Sequence, residues 1–207
     1  MPEAQASCND ERRHERQLIA RARRGDQRAL RELIDGHKNR LHAFVSRMVR
    51  NHHDAEEVVQ DAFLRAFASL DSFSTEYRFS TWLFTIGYRL CLNALRRKQS
   101  LTGEFDFATV PDGSDGIDRR TAESDEAAHL RSIVWRAVDR LSPQQRATVV
   151  LFYRHDHSCQ DIALVLELPV ATVKSHLHRA RQRLRELLQP AVTSETTKLR
   201  ILAGLAG

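Results

Sequence analysis

Cysteine is scarce and unpaired in this sequence. Its three cysteines, Cys8, Cys91 and Cys159, are odd in number and form no C-x-x-C pair, which speaks against a disulfide framework. Chain breakers are few as well, with 8 Gly and 5 Pro in 207 residues. That leaves room for long helices and argues against the many turns of a β sandwich. No stretch approaches the roughly 18 consecutive apolar residues of a membrane span. The N-terminus, rich in charge and poor in apolar residues, does not read as a secretory signal. The chain is therefore expected to be cytoplasmic, with no membrane span. The phosphate-binding loop, the G-x-S-x-G elbow and H-E-x-x-H are all missing. Adjacent carboxylates such as Glu56-Glu57 point in different directions on a helix and make no acid–base pair. An enzyme is not expected, and no cofactor is called for.

Histidine is plentiful, with 10 residues. His155-Asp156-His157-Ser158-Cys159 places three possible ligands within a short run. A closed zinc site needs four ligands, usually in two separated pairs, and no second Cys/His pair follows. These residues read as a surface loop, and no metal site is expected.

What is present is helical periodicity and uneven charge. Apolar residues recur at helical spacing over Leu30, Leu33, Ile34, Leu41, Phe44, Val45 and Met48, again over Val59, Ala62, Phe63, Ala66, Phe67 and Leu70, and again over Leu83, Ile86, Leu90 and Ala94. Ser80 is placed to cap the third run. Before it lies a polar loop, Asp71 to Phe79, with three aromatics. From Thr102 to Glu126 the periodicity fades, and the stretch from Ser100 to Leu130 carries eight acidic and two basic residues. It reads as an acidic linker. Helical spacing returns at Leu130, Ile133, Val134, Ala137, Val138 and Leu141. Ser142-Pro143-Gln144-Gln145 has the pattern of an N-cap, a first-turn proline and a capping box, and Ser158 with Asp161 repeats the box.

A short helix after Ser158, a break at Glu167-Leu168-Pro169 and a longer helix from Val170 to Leu188 compose a helix-turn-helix. The last helix is basic: from Val170 to Gln189 there are five basic residues and one acidic. Opposite its apolar stripe (Val173, Leu177, Ala180, Leu184, Leu187) it carries Thr172, Lys174, Ser175, His176, His178 and Arg179. These are side chains suited to bases and phosphates in a major groove. Arg181, Arg183 and Arg185 would add sequence-independent, salt-dependent attraction.

The segment from Leu168 to Leu188, with Leu141 to Arg146 upstream, closely resembles the fourth conserved region of extracytoplasmic-function (ECF) sigma factors of bacterial RNA polymerase. Asp54 to Phe67, Phe79 to Gly87 and Asn93 to Lys98 resemble the same family's second region. The resemblance implies a promoter-directing transcription initiation factor with an all-α fold of two small helical domains. Residues 17–99 would dock core RNA polymerase and handle the −10 element, 100–127 would be a flexible acidic linker, 128–189 would read the −35 element, and 190–207 would be a tail. It further implies that Glu56, Glu57, Gln60 and Asp61 meet the polymerase. Phe73, Tyr77, Arg78 and Phe79, with Arg89, Asn93, Arg96, Arg97 and Lys98, would handle the opened −10 strand, where aromatic faces can recover lost base stacking. Trp82 reads as a packing residue. Promoter DNA and core polymerase are the implied partners, together with an anti-sigma factor.

Four positions depart from the family pattern, and two of them are His176 and His178, which stand where the family more often has Arg and another residue. Glu167 stands where the family usually has Gly at the turn, and Arg89 where it commonly has Asn. A rival reading is an autonomous helix-turn-helix regulator, but Asp54 to Phe67 and the aromatic loop have no purpose in a ligand sensor. Because the connector is so polar, only modest contact between the two domains is expected.

Overall fold

The computed structural model describes residues 2–102 and 125–189. Among these there are eight α-helices and no strand. The linker between 103 and 124 and the tail from 190 lie outside the described residues. The flanking helices enter the stretch read as linker at both ends, α4 reaching Thr102 and α5 starting at Asp125.

The N-terminal unit is α1 (Pro2–Ala22), α2 (Gln27–Val49), α3 (His52–Ala68) and α4 (Phe79–Thr102), with a short 3₁₀ turn at Leu70–Ser72. The periodic stripes read from the sequence form its core: Leu33, Leu41, Phe44, Val45 and Met48 from α2, Ala62, Phe63 and Ala66 from α3, and Leu83 and Phe84 from α4 are all buried. Gly87 sets the approach of α4 to α2, since a Cβ there would lie 2.9 Å from Leu41 Cδ1. Helix α1 was not foreseen. Its Leu18, Ile19 and Ala22 are buried, and it ends in a turn at Gly25, whose φ of +82° is open to glycine at no steric cost. Asp26 then caps α2 through the amides of Arg28 and Ala29.

The start of α4 differs from expectation. Ser80 lies inside the first turn rather than at the cap. A carboxylate from another helix, Glu15 of α1, accepts the Phe79 amide at 3.4 Å, a cap that local sequence cannot reveal.

The C-terminal unit is α5 (Asp125–Asp139), α6 (Pro143–Tyr153), α7 (Cys159–Leu166) and α8 (Val170–Leu188). Both foreseen capping boxes form, Ser142 with Gln145 and Ser158 with Asp161. Helix α7 ends at Glu167, a non-glycine residue in the left-handed region with φ 56° and ψ 44°. Its amide closes onto the Ala163 and Leu164 carbonyls. Such a conformation costs a non-glycine residue about 1 kcal/mol.

The two units do not merely touch. Their buried residues form one continuous apolar cluster, with α7 lying against α4 and α6 against α2. This corrects the expectation of modest contact. A polar connector leaves the arrangement free, but the facing surfaces carry the apolar and aromatic groups that decide it.

Candidate nucleic-acid interface

The aromatic loop before α4 divides into two kinds of residue. Phe73 and Phe79 are buried, at 4% and 0% exposure. Their rings lie 5.8 Å apart, and Trp82 sits 5.0 Å from Phe73 and 5.8 Å from Phe79. As they stand, neither phenylalanine offers a face to a base. They hold the loop from beneath, because two phenylalanines recover more by leaving water than by flanking a polar loop. Trp82 packs with them, as read from the sequence. Tyr77, half exposed, is the aromatic left on the surface, beside the exposed Arg78. The loop backbone is held by α1: Arg23 donates to the carbonyls of Leu70 and Phe73, and Arg16 to that of Thr75. These positioning arginines were missed, since nothing in a run of Arg-rich sequence tells a solvated arginine from one that fastens a loop 50 residues away.

Along α4, Arg89, Asn93, Arg96, Arg97 and Lys98 are all exposed. Arg89 is already engaged: its Nε and a terminal nitrogen donate to the two carboxylate oxygens of Glu167. The guanidinium holds the Glu167 carboxyl below its usual range. Two of the departures from the family pattern, Arg89 and Glu167, thus pair with each other across the domain boundary.

On α8 the apolar stripe is buried as read, with Leu188 where Leu187 was foreseen as the last member; Leu187 is half-buried. Lys174, His178 and Arg179 are exposed, and Thr172, Ser175 and His176 are half-buried. His176 Nδ1 is buried without a hydrogen-bond partner. The outward basic face is therefore narrower than the six residues read from periodicity. Farther along, Arg181 bonds the Tyr153 hydroxyl at 2.7 Å and lies over the Phe152 and Tyr153 rings, so part of its work is to hold α8 on α6.

Helix α3 presents Glu56, Glu57 and Gln60 to solvent, with Asp61 half-buried. Asp61 is paired with Arg65 at 3.0 Å, while Glu56 and Glu57 face His52 and His53 one turn earlier. Among them stands Leu64, 69% exposed, an apolar side chain on an otherwise polar face that the sequence reading did not single out. The one grouping of metal-ligand atoms among the described residues is His53, Asp54 and Glu57 on this helix. The exposed His53 and Glu57 form an i,i+4 pair and Asp54 beside them is half-buried, which is an ordinary helix surface.

The histidine run is not a surface loop, which corrects the sequence reading. His155 and His157 are buried, at 4% and 7% exposure. The His155 ring lies 5.1 Å from Phe84 and 6.3 Å from Phe44, and His157 lies 5.2 Å from Phe84. His157 Nδ1 donates to the His155 carbonyl at 3.1 Å. That carbonyl also accepts from Arg40 of α2 at 2.9 Å. Burial, with Arg40 and Arg154 nearby, pushes His155 down to about 3. Burial lowers His157 too. Both rings are therefore neutral and serve as aromatic filling between the units.

Arginines complete this boundary. Arg47 lies 4.0 Å from the centre of the Trp135 ring, and Arg50 donates to the Asp139 carbonyl. Arg146, buried, bonds the carbonyls of Asp139 at 2.9 Å, Leu141 at 3.1 Å and Arg47 at 3.3 Å.

Comparison with known proteins agrees with this architecture. The Sigma-70 region 2 family profile matches residues 33–101 and the Sigma-70, region 4 profile matches residues 131–184. The RNA polymerase sigma-H factor of Pseudomonas aeruginosa is 30% identical over 184 residues, covering 85% of this chain and 94% of its own length. The ECF RNA polymerase sigma factor SigW of Bacillus subtilis is 29% identical over 180 residues, covering 83% and 95%. Among solved structures, the sigma factor RpoE bound to the anti-sigma factor NepR from Bartonella quintana superposes with a TM-score of 0.63 at 28% identity, over 77% of this chain and 96% of that one. CnrH in complex with the cytosolic domain of CnrY gives 0.64 at 28% identity, over 86% and 99%. Two family segments in order, on two helical units ending in a helix-turn-helix, place this chain among the ECF sigma factors, the transcription initiation factors that direct RNA polymerase to specific promoters.

Proposed function

We propose that the two units divide the work as residues 17–99 and 128–189. In the first, the exposed face of α3 with Glu56, Glu57, Gln60 and Asp61 docks core polymerase. Tyr77 and Arg78, followed by Arg89, Asn93, Arg96, Arg97 and Lys98 of α4, meet the opened −10 strand, with Phe73 and Phe79 supporting the loop. In the second, α8 reads the −35 element with Lys174, His178 and Arg179, flanked by Thr172, Ser175 and His176. The protein acts in the cytoplasm, where its polymerase is, and an anti-sigma factor holds it inactive. The resemblance to RpoE, solved with the anti-sigma factor NepR, supports that last element. Among the described residues no helix is long and apolar enough to cross a membrane.

The observation that carries this reading is the exposure of a basic face on α8, behind a capped helix-turn-helix, in the same chain as an exposed acidic face on α3. Run-off transcription with core polymerase on a genomic promoter library tests it. A set of promoters sharing one −10 and one −35 sequence is expected. Unaided, tight binding of an operator duplex with no gain of transcription from core polymerase would replace it with an autonomous regulator.

A further inference from the structure

The polar loop between α3 and α4 does little to hold itself in place. Ser74, Thr75, Glu76, Tyr77 and Arg78 are all exposed, and within this stretch the Tyr77 amide bonds the Ser74 carbonyl at 3.3 Å. A loop that orders only when its ligand arrives surrenders binding free energy to the ordering. Here the backbone is fixed from outside, by α1. Arg23 donates through Nε to the Leu70 carbonyl at 3.1 Å and through a terminal nitrogen to the Phe73 carbonyl. Arg16 donates to the Thr75 carbonyl at 3.4 Å. Glu15 accepts the Phe79 amide at 3.4 Å. Glu15 is itself held by His37 of α2 at 3.3 Å, whose ring lies 5.2 Å from that of Phe79.

At about 100° per residue, Glu15, Arg16, Ile19 and Arg23 fall within about 100° of one another around α1. One helix face therefore fixes the loop at both ends and in the middle. Tyr77 and Arg78 lie between the last two fixed points, Thr75 and Phe79. They line a shallow cleft whose other wall carries Arg12 and Arg16.

We propose that Glu15 and Arg23 are positioning residues for −10 discrimination. Through them α1 presets the loop backbone, so that Tyr77 and Arg78 meet the opened strand in one register. This role rests on the assignment of those two residues to the −10 strand. Neither Glu15 nor Arg23 needs to touch DNA. Charge alone predicts opposite effects, since losing Glu15 would favour a polyanion and losing Arg23 would disfavour it. Positioning predicts the same effect from both, because the loss of either anchor frees the loop.

The test compares holoenzymes carrying Glu15→Ala, Glu15→Gln or Arg23→Ala, with Arg13→Ala as a charge control, Arg13 being exposed and outside that face. Run-off transcription is read on a −10 and a −35 substitution series, after capture of core polymerase has shown which variants fold. Glu15→Ala and Arg23→Ala should each lose about fivefold or more of the discrimination at a −10 position, the low end of what one base contact provides. Discrimination at −35 should not change. Glu15→Gln still offers the Phe79 amide an oxygen and should retain most of the discrimination; Arg13→Ala should match the parent chain. Unchanged −10 discrimination in both alanine variants, equal losses on the two series, or equal losses in Glu15→Ala and Glu15→Gln would each overturn the proposal. So would failure of both alanine variants to capture core polymerase, which would reduce this face of α1 to folding alone. Binding to a promoter with a pre-opened −10 segment should keep its salt slope in Arg23→Ala. A slope lower by about 0.7 would make Arg23 a phosphate contact and overturn its positioning role. If the parent chain does not discriminate at −10, or Tyr77→Ala with Arg78→Ala leaves that discrimination intact, the functional reading falls and the positioning role with it.

Discussion

Single residues set the chemistry of this protein by where burial puts them. Arg146 is the clearest case, a guanidinium withdrawn from water and satisfied by three carbonyls from α2, α5 and the turn after α5. Desolvation pulls its pKa down to about 10, so it stays charged at neutral pH. Arg146→Met should lower stability by about 2–4 kcal/mol, because the carbonyls lose their donors with no water to replace them. Arg146→Lys should recover little of it, since one ammonium cannot match the planar fork; urea unfolding of the three proteins measures this. On α8, Arg179 and Lys174 are both exposed. At about 100° per residue their directions differ by about 140°, so one can face base edges while the other reaches phosphate. Arg179→Ala should relax discrimination at one −35 position by about 1–3 kcal/mol. A −35 substitution series in run-off transcription reads this, and an equal loss on every promoter would demote Arg179 to a phosphate contact. The exposed Arg89–Glu167 pair contributes at most about 1 kcal/mol; its importance is in register, not strength.

At the scale of elements, the helices form because local signals agree with the apolar period. The capping boxes at Ser142 and Ser158 satisfy amides that would otherwise be orphaned. Ser158→Ala should therefore cost about 1 kcal/mol, and its effect should fall on the helix-turn-helix, read as faster amide exchange in α7. Helix α3 behaves differently, because its outward residues hold little together. Glu56→Lys with Asp61→Lys loses the Asp61–Arg65 pair and should change stability by no more than about 1 kcal/mol, yet weaken capture of core polymerase. Unchanged capture with normal transcription would move the docking surface elsewhere. Leu64 lies on that same face, and Leu64→Ala should weaken capture too, as apolar anchors inside a polar rim commonly do.

For the molecule as a whole, the boundary between the units is where pH should act. His155 and His157 have pKa values lowered by burial, so the folded, closed form binds their protons less readily than an open or unfolded chain. A group depressed in this way contributes stability that is complete above its free value of about 6.5. That contribution is lost as pH falls toward the folded value, about 3 for His155. The slope approaches roughly 1.4 kcal/mol per pH unit for each proton taken up. Thermal unfolding between pH 7.5 and 5 should show a falling Tm, and His155→Gln should flatten the curve. A parallel curve for that variant would mean that His155 is not the group being titrated. Small-angle scattering over the same range should show the chain expanding as the units part.

What the sequence determines by itself is local and periodic: seven of the eight helices in outline, both capping boxes, the break at Glu167 and the basic character of α8. These follow from spacing and from groups within four residues of one another, which is the reach of helical geometry. The family match rests on the same strings. What only the tertiary structure decides depends on partners far along the chain. Phe73 and Phe79 turn inward because Trp82 and α1 close over them. Glu15 caps a helix that begins 64 residues later. His155 and His157 leave the surface because Phe44 and Phe84 present an apolar face for them. A histidine in a polar run looks the same whether it ends in water or between two domains. The choice belongs to the surface it meets, and that surface exists only once both units have folded.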